Sequence, residues 1–395
     1  MTLSILNYRG KTQKMELRNF LKITRANVSI SAWGYTKARL KLNPEAFVCL
    51  RERHLWSYYS KENKELRDYK GFIPVAIDGT DLHIPSTEET RRIYGDANVH
   101  STYPVAMASC SCAYDVCNDM ILDCTLSRYK RPERESALGH IRRIGELYTQ
   151  KNLYLFDRGY PSAEMLLTLL ESKQSFLFRL GEKTFKREQQ SLCSDDTWVD
   201  IILDYTRINP HRGTELADRM RQAGSLRLRM TKILLPNKTT EILLSNLPDD
   251  TFSCTDLAEL YHLRWRIETM FDALKNKLQI ENFSGKLPCI LQQDFYATMY
   301  LYNLIADIRQ DAQGALTLPP RKYGVKTNQT MAIGIVKEGL IQMATARSGT
   351  IRGLIYKRII TEIQAHTIPI RPNRHFARNN TPRKTKHAIN RKNGY

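Results

Sequence analysis

The 395-residue chain has no run of 18 apolar residues, and its start, MTLSILNYRGKTQK, contains no long apolar segment. The first absence argues against a membrane span, and the second argues against a secretory signal peptide. The chain also lacks a GxxxxGK[ST] phosphate loop, an HExxH motif and an internal repeat. Together these absences argue against P-loop nucleotide hydrolases, HExxH zinc proteases and repeat proteins.

The eight cysteines do not have the spacing of a zinc site. In the cluster at 110–124 the spacing is CxC, followed by gaps of four and six residues, unlike a zinc knuckle. Cys110 and Cys112 alternate within the predicted strand YPVAMASCSCAYD, so we interpret them as small buried thiols. Free thiols are typical of a reducing cytoplasm, which is the compartment that we predict.

Acidic residues are scarce at the two ends of the chain. The chain carries 60 Lys and Arg against 41 Asp and Glu, a net charge of +19. Residues 1–70 account for +9 of this charge, and residues 371–395, which contain no acid, account for +8. Basic ends on a nearly neutral body indicate a nucleic-acid partner. The alternative is that the basic ends only keep the protein in solution.

Two aspartates follow apolar strand patterns. The segment GFIPVAIDGT alternates up to Asp78, after which Gly79 breaks the pattern. The segment KNLYLFDRGYPS is apolar up to Asp157. Each Asp is therefore predicted to project from a strand end into a turn, where α/β sheets bind ligands. Asp81 competes with Asp78 but lies past the break, and the alternative for both sites is an Asp that only begins a turn.

A third acid, Glu268, lies in the segment YHLRWRIETMFDALK, which begins at Tyr261. At 100° per residue, Tyr261, Arg264, Glu268 and Lys275 share one stripe, beside an apolar stripe that predicts the core face. This position at the edge of the core face indicates a cleft. The alternative is a solvated face on which the two cations pair with Glu268. Weaker candidates for the same cleft are Trp265, Lys277, Glu135 and His140.

Two strand-end carboxylates and one helix carboxylate can bind a pair of Mg²⁺ ions, which prefer a few carboxylates together with water and phosphate oxygens. Two such ions about 4 Å apart can activate a nucleophile and stabilise a leaving oxygen. We therefore predict that the catalytic, metal-binding residues are Asp78, Asp157 and Glu268, with Mn²⁺ able to replace Mg²⁺. The residues predicted to contact DNA phosphates are Tyr261, Arg264 and Lys275.

These motifs resemble the DDE transposases of bacterial insertion sequences that carry the YREK signature, the family named for insertion sequence four. The signature Y-x2-R-x3-E-x6-K matches Tyr261, Arg264, Glu268 and Lys275 with no change in spacing. The resemblance covers about 70–285. The other segments that carry it are AIDGTDLHIP at 76–85, LFDRGY at 155–160 and LLSNLP at 243–248.

The resemblance implies an α/β fold with a ribonuclease H-like catalytic core, in which the first and fourth strands are neighbours and bring Asp78 and Asp157 together. The predicted order from residue 71 is three strands, a helix, a strand, a helix and a strand. The predicted regions are a helical basic DNA-binding region at 1–70, the first part of the core at 71–180, a β-rich insertion at 181–250, the final core part with the signature helix at 251–290, a helical C-terminal region at 291–370 and a basic disordered tail at 371–395.

The same resemblance implies a transposase that binds the terminal inverted repeats of an insertion sequence and moves it by cut and paste. Its chemistry would be Mg²⁺-dependent DNA cleavage followed by strand transfer, through a hairpin intermediate as in relatives. The implied partners are transposon ends, target DNA and a second subunit in a homodimeric synaptic complex, at the bacterial nucleoid. The alternatives are a metal-dependent nuclease without strand transfer and a non-catalytic, transposase-derived repressor. The intact acids count against the repressor.

Overall fold

The computed structural model describes residues 1–26, 28–60, 63, 65–97, 104–235, 238–316 and 323–371. The strands are β1 (Ile73–His83), β2 (Met107–Asp115), β3 (Met120–Arg128), β4 (Asn152–Phe156), β5 (Ser175–Arg179), β6 (Asp196–Ile202), β7 (Ser225–Leu234), β8 (Thr240–Ser245), β9 (Val325–Thr327) and β10 (Thr367–Pro369).

The α-helices are α1 (Thr2–Leu6), α2 (Gln13–Thr24), α3 (Ala32–Arg39), α4 (Glu45–Tyr58), α5 (Glu88–Tyr94), α6 (Glu133–Leu147), α7 (Ala163–Glu171), α8 (Lys186–Gln190), α9 (Tyr205–Ile208), α10 (Glu215–Ala223), α11 (Cys254–Leu263), α12 (Arg266–Asp272), α13 (Pro288–Gly314), α14 (Gln329–Ala344) and α15 (Gly349–Ala365). A 3₁₀ turn at Asn209–His211 follows α9, and a π-helical segment at Ala273–Lys277 follows α12.

Eight strands form one mixed sheet in the order β3-β2-β1-β4-β5-β8-β7-β6. β1 pairs with β2 in antiparallel and with β4 in parallel orientation, so the predicted neighbourhood of the first and fourth strands is confirmed. The parallel register aligns Ala76 with Leu155. Continued by two residues, that register places Asp78 level with Asp157 at one edge of the sheet.

The prediction that β1 ends at Asp78 is wrong. β1 runs on to His83 because β2 pairs with it along the whole segment from Val75 to His83. On its other side β1 pairs with β4 only as far as Ala76. Asp78 therefore lies inside β1, just past the point where the pairing with β4 ends. The prediction for Asp157 is confirmed, since β4 ends one residue earlier at Phe156.

The segment predicted as a β-rich insertion contributes β6, β7 and β8 to the same sheet. β7 and β8 pair in antiparallel orientation, and β8 joins β5 in antiparallel orientation. β5, whose central residues Phe176–Phe178 are fully buried, is thereby covered along its edge. Covering this edge stabilises the sheet, because an open apolar edge would invite pairing with another chain.

Side-chain caps set where several helices begin. Ser162 accepts a hydrogen bond from the Met165 amide and so caps α7. Ser253 and Asp256 form a reciprocal capping box at the start of α11. Such caps satisfy backbone donors that have no partner inside the helix and contribute about 1 kcal/mol each. The start of the helix leading to Glu268 is therefore set by its own sequence.

Helices from both ends of the chain pack on the sheet and on each other. The 27-residue α13 contacts α4, β3 and the helices that follow it. The buried Arg39 of α3 bonds Asp294 at 2.5 Å and Gln293 at 2.6 Å, both on α13. The predicted N-terminal region is therefore anchored to the C-terminal helices. No helix in the described ranges is long and apolar enough to cross a membrane. The predicted tail, beyond Arg371, lies outside the described residues.

Candidate active site

The segment that carries Glu268 is not one continuous α-helix. α11 ends at Leu263 and α12 begins at Arg266. Between them, the amides of Arg264 and Trp265 bond carbonyls three residues back, at 3.1 and 3.2 Å. Bonds of this span tighten the backbone into a 3₁₀-like turn. Regular α-helical hydrogen bonding is therefore interrupted at the arginine of this segment.

The prediction of a single 100° stripe is wrong beyond this turn as well. Lys275 lies in the π-helical segment Ala273–Lys277, whose wider turn shifts the angle between it and the preceding α-helix. The predicted apolar face is largely confirmed. Its fully buried members are Leu260, Ile267, Met270 and Leu274.

Arg264 lies between two of the predicted acids. Its Nη1 is 3.4 Å from Asp78 Oδ2 and its Nη2 is 3.3 Å from Glu268 Oε1. The residue is 1% exposed, and its Nε has no hydrogen-bond partner within the described part of the chain. The guanidinium carbon lies 4.9 Å from the Trp265 ring centre and 5.7 Å from that of Tyr261. One buried cation thus links the β1 acid to the helix acid.

The carboxyl group of Asp78 is hard to ionise where it lies. Its pKa is raised from 3.8 to about 6, mainly by burial and to a smaller extent by the negative charges of Glu133 and Asp157. The Gly79 amide, at 2.8 Å from Oδ1, and the Arg264 guanidinium act in the opposite direction. The net rise shows that the cost of burying a charged carboxylate outweighs these two partners.

Asp157 is held by the backbone and by the helix segment. Its Oδ1 accepts hydrogen bonds from the Arg158 amide at 2.7 Å and from the Tyr261 hydroxyl at 3.3 Å. Tyr261 is 2% exposed, and burial raises the pKa of its hydroxyl to about 12, so it acts as a donor. The first residue of the signature therefore contacts the second Asp.

Lys275 contacts β1 rather than Glu268. Its Nζ donates to Thr80 Oγ1 at 2.7 Å and to the carbonyl of Asp81 at 2.8 Å. Thr80 points to the same side of β1 as Asp78, two residues earlier. The helix segment and β1 are thus joined at two positions, by Arg264 and by Lys275.

A comparison with known protein families shows which family the domain that carries this site belongs to. A family model described as "Transposase DDE domain" matches residues 70–304, more than half of the chain. The chain belongs to the transposase DDE domain family. The matched range contains β1, β4 and α12, the three elements that carry or border the predicted acids.

Curated relatives of this family member include proteins of bacterial insertion sequence elements. It is 36% identical over 83 residues to the transposase for insertion sequence element IS421 of Escherichia coli, covering 21% of this chain and 22% of that protein. The same figures hold for the protein InsL of element IS186A from E. coli strain K12. It is 26% identical over 156 residues to the protein y4zB of Sinorhizobium fredii, covering 38% and 41% of the two chains. The matches thus span less than half of each relative.

One solved structure with partial similarity is the cryo-EM structure of the piggyBac transposase synaptic complex with hairpin DNA. The superposition has a TM-score of 0.41 at 10% sequence identity, and it covers 73% of this chain and 57% of that one.

The weaker candidates of this DDE-domain protein lie away from Arg264, apart from Trp265. Glu135 is exposed and pairs with Arg131 at 2.7 Å, whereas His140 is buried against Asp123 at 2.7 Å. Lys277 donates to Gln329 at 2.5 Å. Asp81 accepts from Ser109 at 3.1 Å, and its side chain points to the side of β1 opposite Asp78.

Sequence reasoning missed two residues beside the site, Glu133 and Tyr160. A β-carbon at Gly79 would lie 3.4 Å from Glu133 Oε1, so this carboxylate reaches β1 directly. The Tyr160 hydroxyl is buried and feels the charges of Asp78, Glu133 and Asp157, which, after burial, raise its pKa. Two signals pointed to them. Tyr160 is the last residue of the segment LFDRGY. Glu133 begins α6, which follows β3, and because β3 runs in the same direction as β1, the two strands end at the same edge of the sheet.

The carboxylates Asp78, Asp157 and Glu268 are ligands that suit a hard divalent cation, although the structure does not bring them together at one point. Within the described ranges, no three His, Cys, Asp or Glu side chains are close enough to hold a metal ion. The guanidinium of Arg264 separates Asp78 from Glu268, but both of its contacts exceed the usual 2.7–3.2 Å of a hydrogen bond. Asp78 is costly to ionise because it is buried, and the buried Tyr160 hydroxyl has no hydrogen-bond partner among the described residues.

Proposed function

We propose that this protein is an insertion-sequence transposase that binds the ends of its element and catalyses metal-dependent DNA cleavage and strand transfer. The observation that carries the proposal is that one helix segment contacts all three acids: Arg264 lies between Asp78 and Glu268, and Tyr261 donates to Asp157. The family membership and the names of the relatives support the same class of reaction.

Asp78, Asp157 and Glu268 are the residues that would hold two Mg²⁺ ions, for which Mn²⁺ would substitute. Bound ions would supply Lewis-acid activation of the attacking oxygen and stabilise the leaving oxygen. The chain itself fixes the carboxylates before any ligand binds. The amides of Gly79 and Arg158 each hold one oxygen of the preceding Asp, at 2.8 and 2.7 Å. Preformed carboxylate positions reduce the cost of ordering the site.

The cations of the signature have separate tasks in this proposal. Arg264 neutralises Asp78 and Glu268 in the metal-free protein. When bound metal ions neutralise these carboxylates instead, the planar donors of Arg264 can turn to a DNA phosphate. Lys275 is held beside β1 by its hydrogen bond to Thr80. Tyr261 positions Asp157, and direct contact of its hydroxyl with phosphate remains a prediction.

DNA binding outside the site is proposed for the basic N-terminal region at 1–70, which would recognise the element's ends. Trp33 is 67% exposed there, with Lys37 Nζ 3.7 Å from its ring centre, so both present polar and apolar surface to a partner. The tail at 371–395 would add non-specific affinity through its charge. A homodimer in the synaptic complex and a hairpin intermediate belong to the same proposal.

The proposal is tested by assays of cleavage and strand transfer with DNA that carries the element's terminal repeats. Asp78→Ala, Asp157→Ala and Glu268→Ala should each abolish cleavage in Mg²⁺ and retain DNA binding, because each removes one ligand of the reacting centre. Glu135→Ala is the matched control, since that carboxylate lies on the surface with Arg131. Full cleavage by any of the three variants would remove that residue from the site.

Precut ends distinguish the alternatives. Joining of a precut 3′ hydroxyl to target DNA supports a transposase, whereas cleavage without joining would identify a metal-dependent nuclease. Binding of the ends without either reaction would identify a transposase-derived repressor. Ca²⁺ should support binding but not cleavage, because it tolerates carboxylate ligands without the tight octahedral geometry of Mg²⁺.

A further inference from the structure

Glu133 approaches the proposed site from the side of the sheet opposite Glu268. It is the first residue of α6, and its Oε1 would lie 3.4 Å from a β-carbon at Gly79 and its Oε2 3.8 Å from one at Gly159. These two glycines follow Asp78 and Asp157 closely in sequence. Because neither has a side chain, the Glu133 carboxylate can lie between the two strands that carry the predicted aspartates.

The charges around Glu133 show how close it lies to the other acids. Burial raises its pKa, and the negative charges of Asp81 and Asp157 raise it further, while Arg134 acts in the opposite direction. Glu133 in turn raises the pKa of Asp78. Acidic side chains on a protein surface usually lie apart from one another, because like charges at short range repel. A divalent cation bound beside these acids would balance their charges.

A second, independent observation comes from Tyr160. Its side chain is 1% exposed, yet its hydroxyl has no hydrogen-bond partner among the described residues. The ring is packed 5.4 Å from that of Phe156, and the hydroxyl feels the charges of Asp78, Glu133 and Asp157. A buried hydroxyl without a partner is unfavourable in a folded protein. A ligand at the acids, or its bound water, would supply the missing partner.

Glu135 shows what an acid of this helix does when it lies outside the site. It occupies the same first turn of α6 and is exposed, as Glu133 is, but it pairs with Arg131 at 2.7 Å instead of extending toward Gly79 and Gly159. A negative charge at the start of a helix is favourable at either position. Helix stability alone therefore does not explain why the Glu133 side chain extends toward Gly79 and Gly159.

We propose that Glu133 is a fourth carboxylate of the site, which binds a divalent cation together with Asp157, and that the Tyr160 hydroxyl positions this carboxylate or the water of the bound cation. This inference rests on the proposed function, since it assumes that the acids at this edge bind metal. Glu133 lies on the α6 side of the sheet, and it belongs neither to the YREK signature nor to the two aspartate motifs. The cation would be of the oxygen-preferring class, Mg²⁺ or Mn²⁺.

The test measures Mn²⁺ binding to the full-length protein by electron paramagnetic resonance of the free ion, with competition by Mg²⁺. The variants are Glu133→Gln, Glu135→Gln, Tyr160→Phe and Asp157→Asn, each checked for folding by circular dichroism. We expect Glu133→Gln and Tyr160→Phe to weaken Mn²⁺ binding by about tenfold or more, the usual loss when a residue supporting a metal ligand is removed. Glu135→Gln should bind as the wild type does.

The outcomes separate this inference from the function on which it rests. If Asp157→Asn loses Mn²⁺ binding while Glu133→Gln retains it, Glu133 is only a helix-start residue and the inference is overturned, whereas the metal site stands. If Asp157→Asn binds Mn²⁺ as the wild type does, the proposed metal site itself fails and the assignment of Glu133 falls with it. Tyr160→Phe with unchanged binding would remove the tyrosine from the proposal and leave Glu133 without its independent support.

Discussion

Two arginines, Arg229 on β7 and Arg264 between α11 and α12, have the same 1% exposure and differ in how they are bonded. Arg229 donates to both oxygens of Asp196 at 2.8 and 2.6 Å and to the carbonyl of Phe252 at 2.7 Å. Arg264 reaches its carboxylates only at 3.3 and 3.4 Å, and its Nε has no partner in the described part of the chain. The first side chain is fixed, and the second is held loosely.

The pKa values of the partner acids show the same contrast. The hydrogen bonds from Arg229 hold the pKa of Asp196 below its usual value. Asp78 has a raised pKa although Arg264 lies beside it. A buried ion pair with ideal geometry contributes to the fold, whereas a loose one among several acids leaves charge to be balanced by something else. The difference indicates a structural role for Arg229 and a functional role for Arg264.

The largest expected effect is on stability, from Arg229→Ala. Removing the cation leaves Asp196 and a buried carbonyl without their partner, which should lower the free energy of unfolding by about 3 kcal/mol. Urea unfolding followed by circular dichroism measures it. Arg227→Ala is the control from the same strand, because its pair with Asp200 is mostly exposed, and it should cost under about 1 kcal/mol. Equal losses in the two variants would contradict the assignment of Arg229.

The next effect concerns pH and Asp78. Its folded pKa of about 6 lies above the ordinary 3.8, so its contribution to stability is complete below about pH 4 and is lost as pH rises through 6. Asp78→Asn should therefore raise the free energy of unfolding by about 2 kcal/mol at pH 7.5, and should have little effect at pH 4. Chemical unfolding in chelator at both pH values provides the measurement.

Asp196→Asn is the matched comparison for this pH series, because the pKa of Asp196 is lowered. Its stabilising contribution is present above the ordinary pKa and is lost as pH falls through the lowered value, so this variant should be destabilised at pH 7.5. A destabilised Asp78→Asn protein at pH 7.5 would show that Arg264 holds Asp78 as tightly as Arg229 holds its partner, and the contrast would disappear.

A smaller effect is expected on the reaction rate from Arg264→Ala and Lys275→Ala. Each should slow single-turnover cleavage by about tenfold or more, since a lost charged contact to a phosphate costs about 1–3 kcal/mol of transition-state stabilisation. Lys275→Arg should not restore the rate fully, because a planar fork replaces a point charge.

Lys277→Ala is the control for these two variants, because it lies in the same π-helical segment and contacts Gln329. End binding should persist in all three variants through the N-terminal region. Wild-type rates in both Arg264→Ala and Lys275→Ala would make the two cations purely structural and leave Glu268 as the one acting member of the signature.

The smallest effect concerns the basic tail. Removing residues 372–395 should lower the dependence of DNA affinity on salt, because fewer counterions are released per complex. Removing the same number of charges by substitution in 1–70 should instead weaken the preference for terminal DNA over random DNA. Binding measured at several salt concentrations separates the two. A salt slope unchanged by the loss of the tail would refute its proposed role.

The elements that follow local rules were predictable from the sequence. β4 and the position of Asp157 came from an apolar run that stops at a turn, and the pairing of β1 with β4 came from the strand order of the family resemblance. Capping by Ser162 was equally local. Each of these depends on residues that are neighbours in the sequence, or on a topology shared by a whole family.

The features that the sequence did not reveal depend on long-range contacts. β1 passes Gly79 because β2 pairs with it there, and neither strand alone shows this. The turn at Arg264 and the π-helical segment result from packing the helix against β1 at two points, Arg264 and Lys275. Glu133 was overlooked because a first-turn acid is usually explained by the helix dipole.

The bond between Arg264 and the two carboxylates gives the protein an internal counter-ion. A zinc finger unfolds when its metal is removed, because metal binding supplies most of its folding free energy. Here the guanidinium supplies positive charge at the same place, so chelating agents should stop the chemistry without unfolding the chain. We expect the melting temperature to be the same in EDTA as in plain buffer. The protein can therefore be purified and assembled on DNA without metal, and the reaction started at a chosen time by adding it.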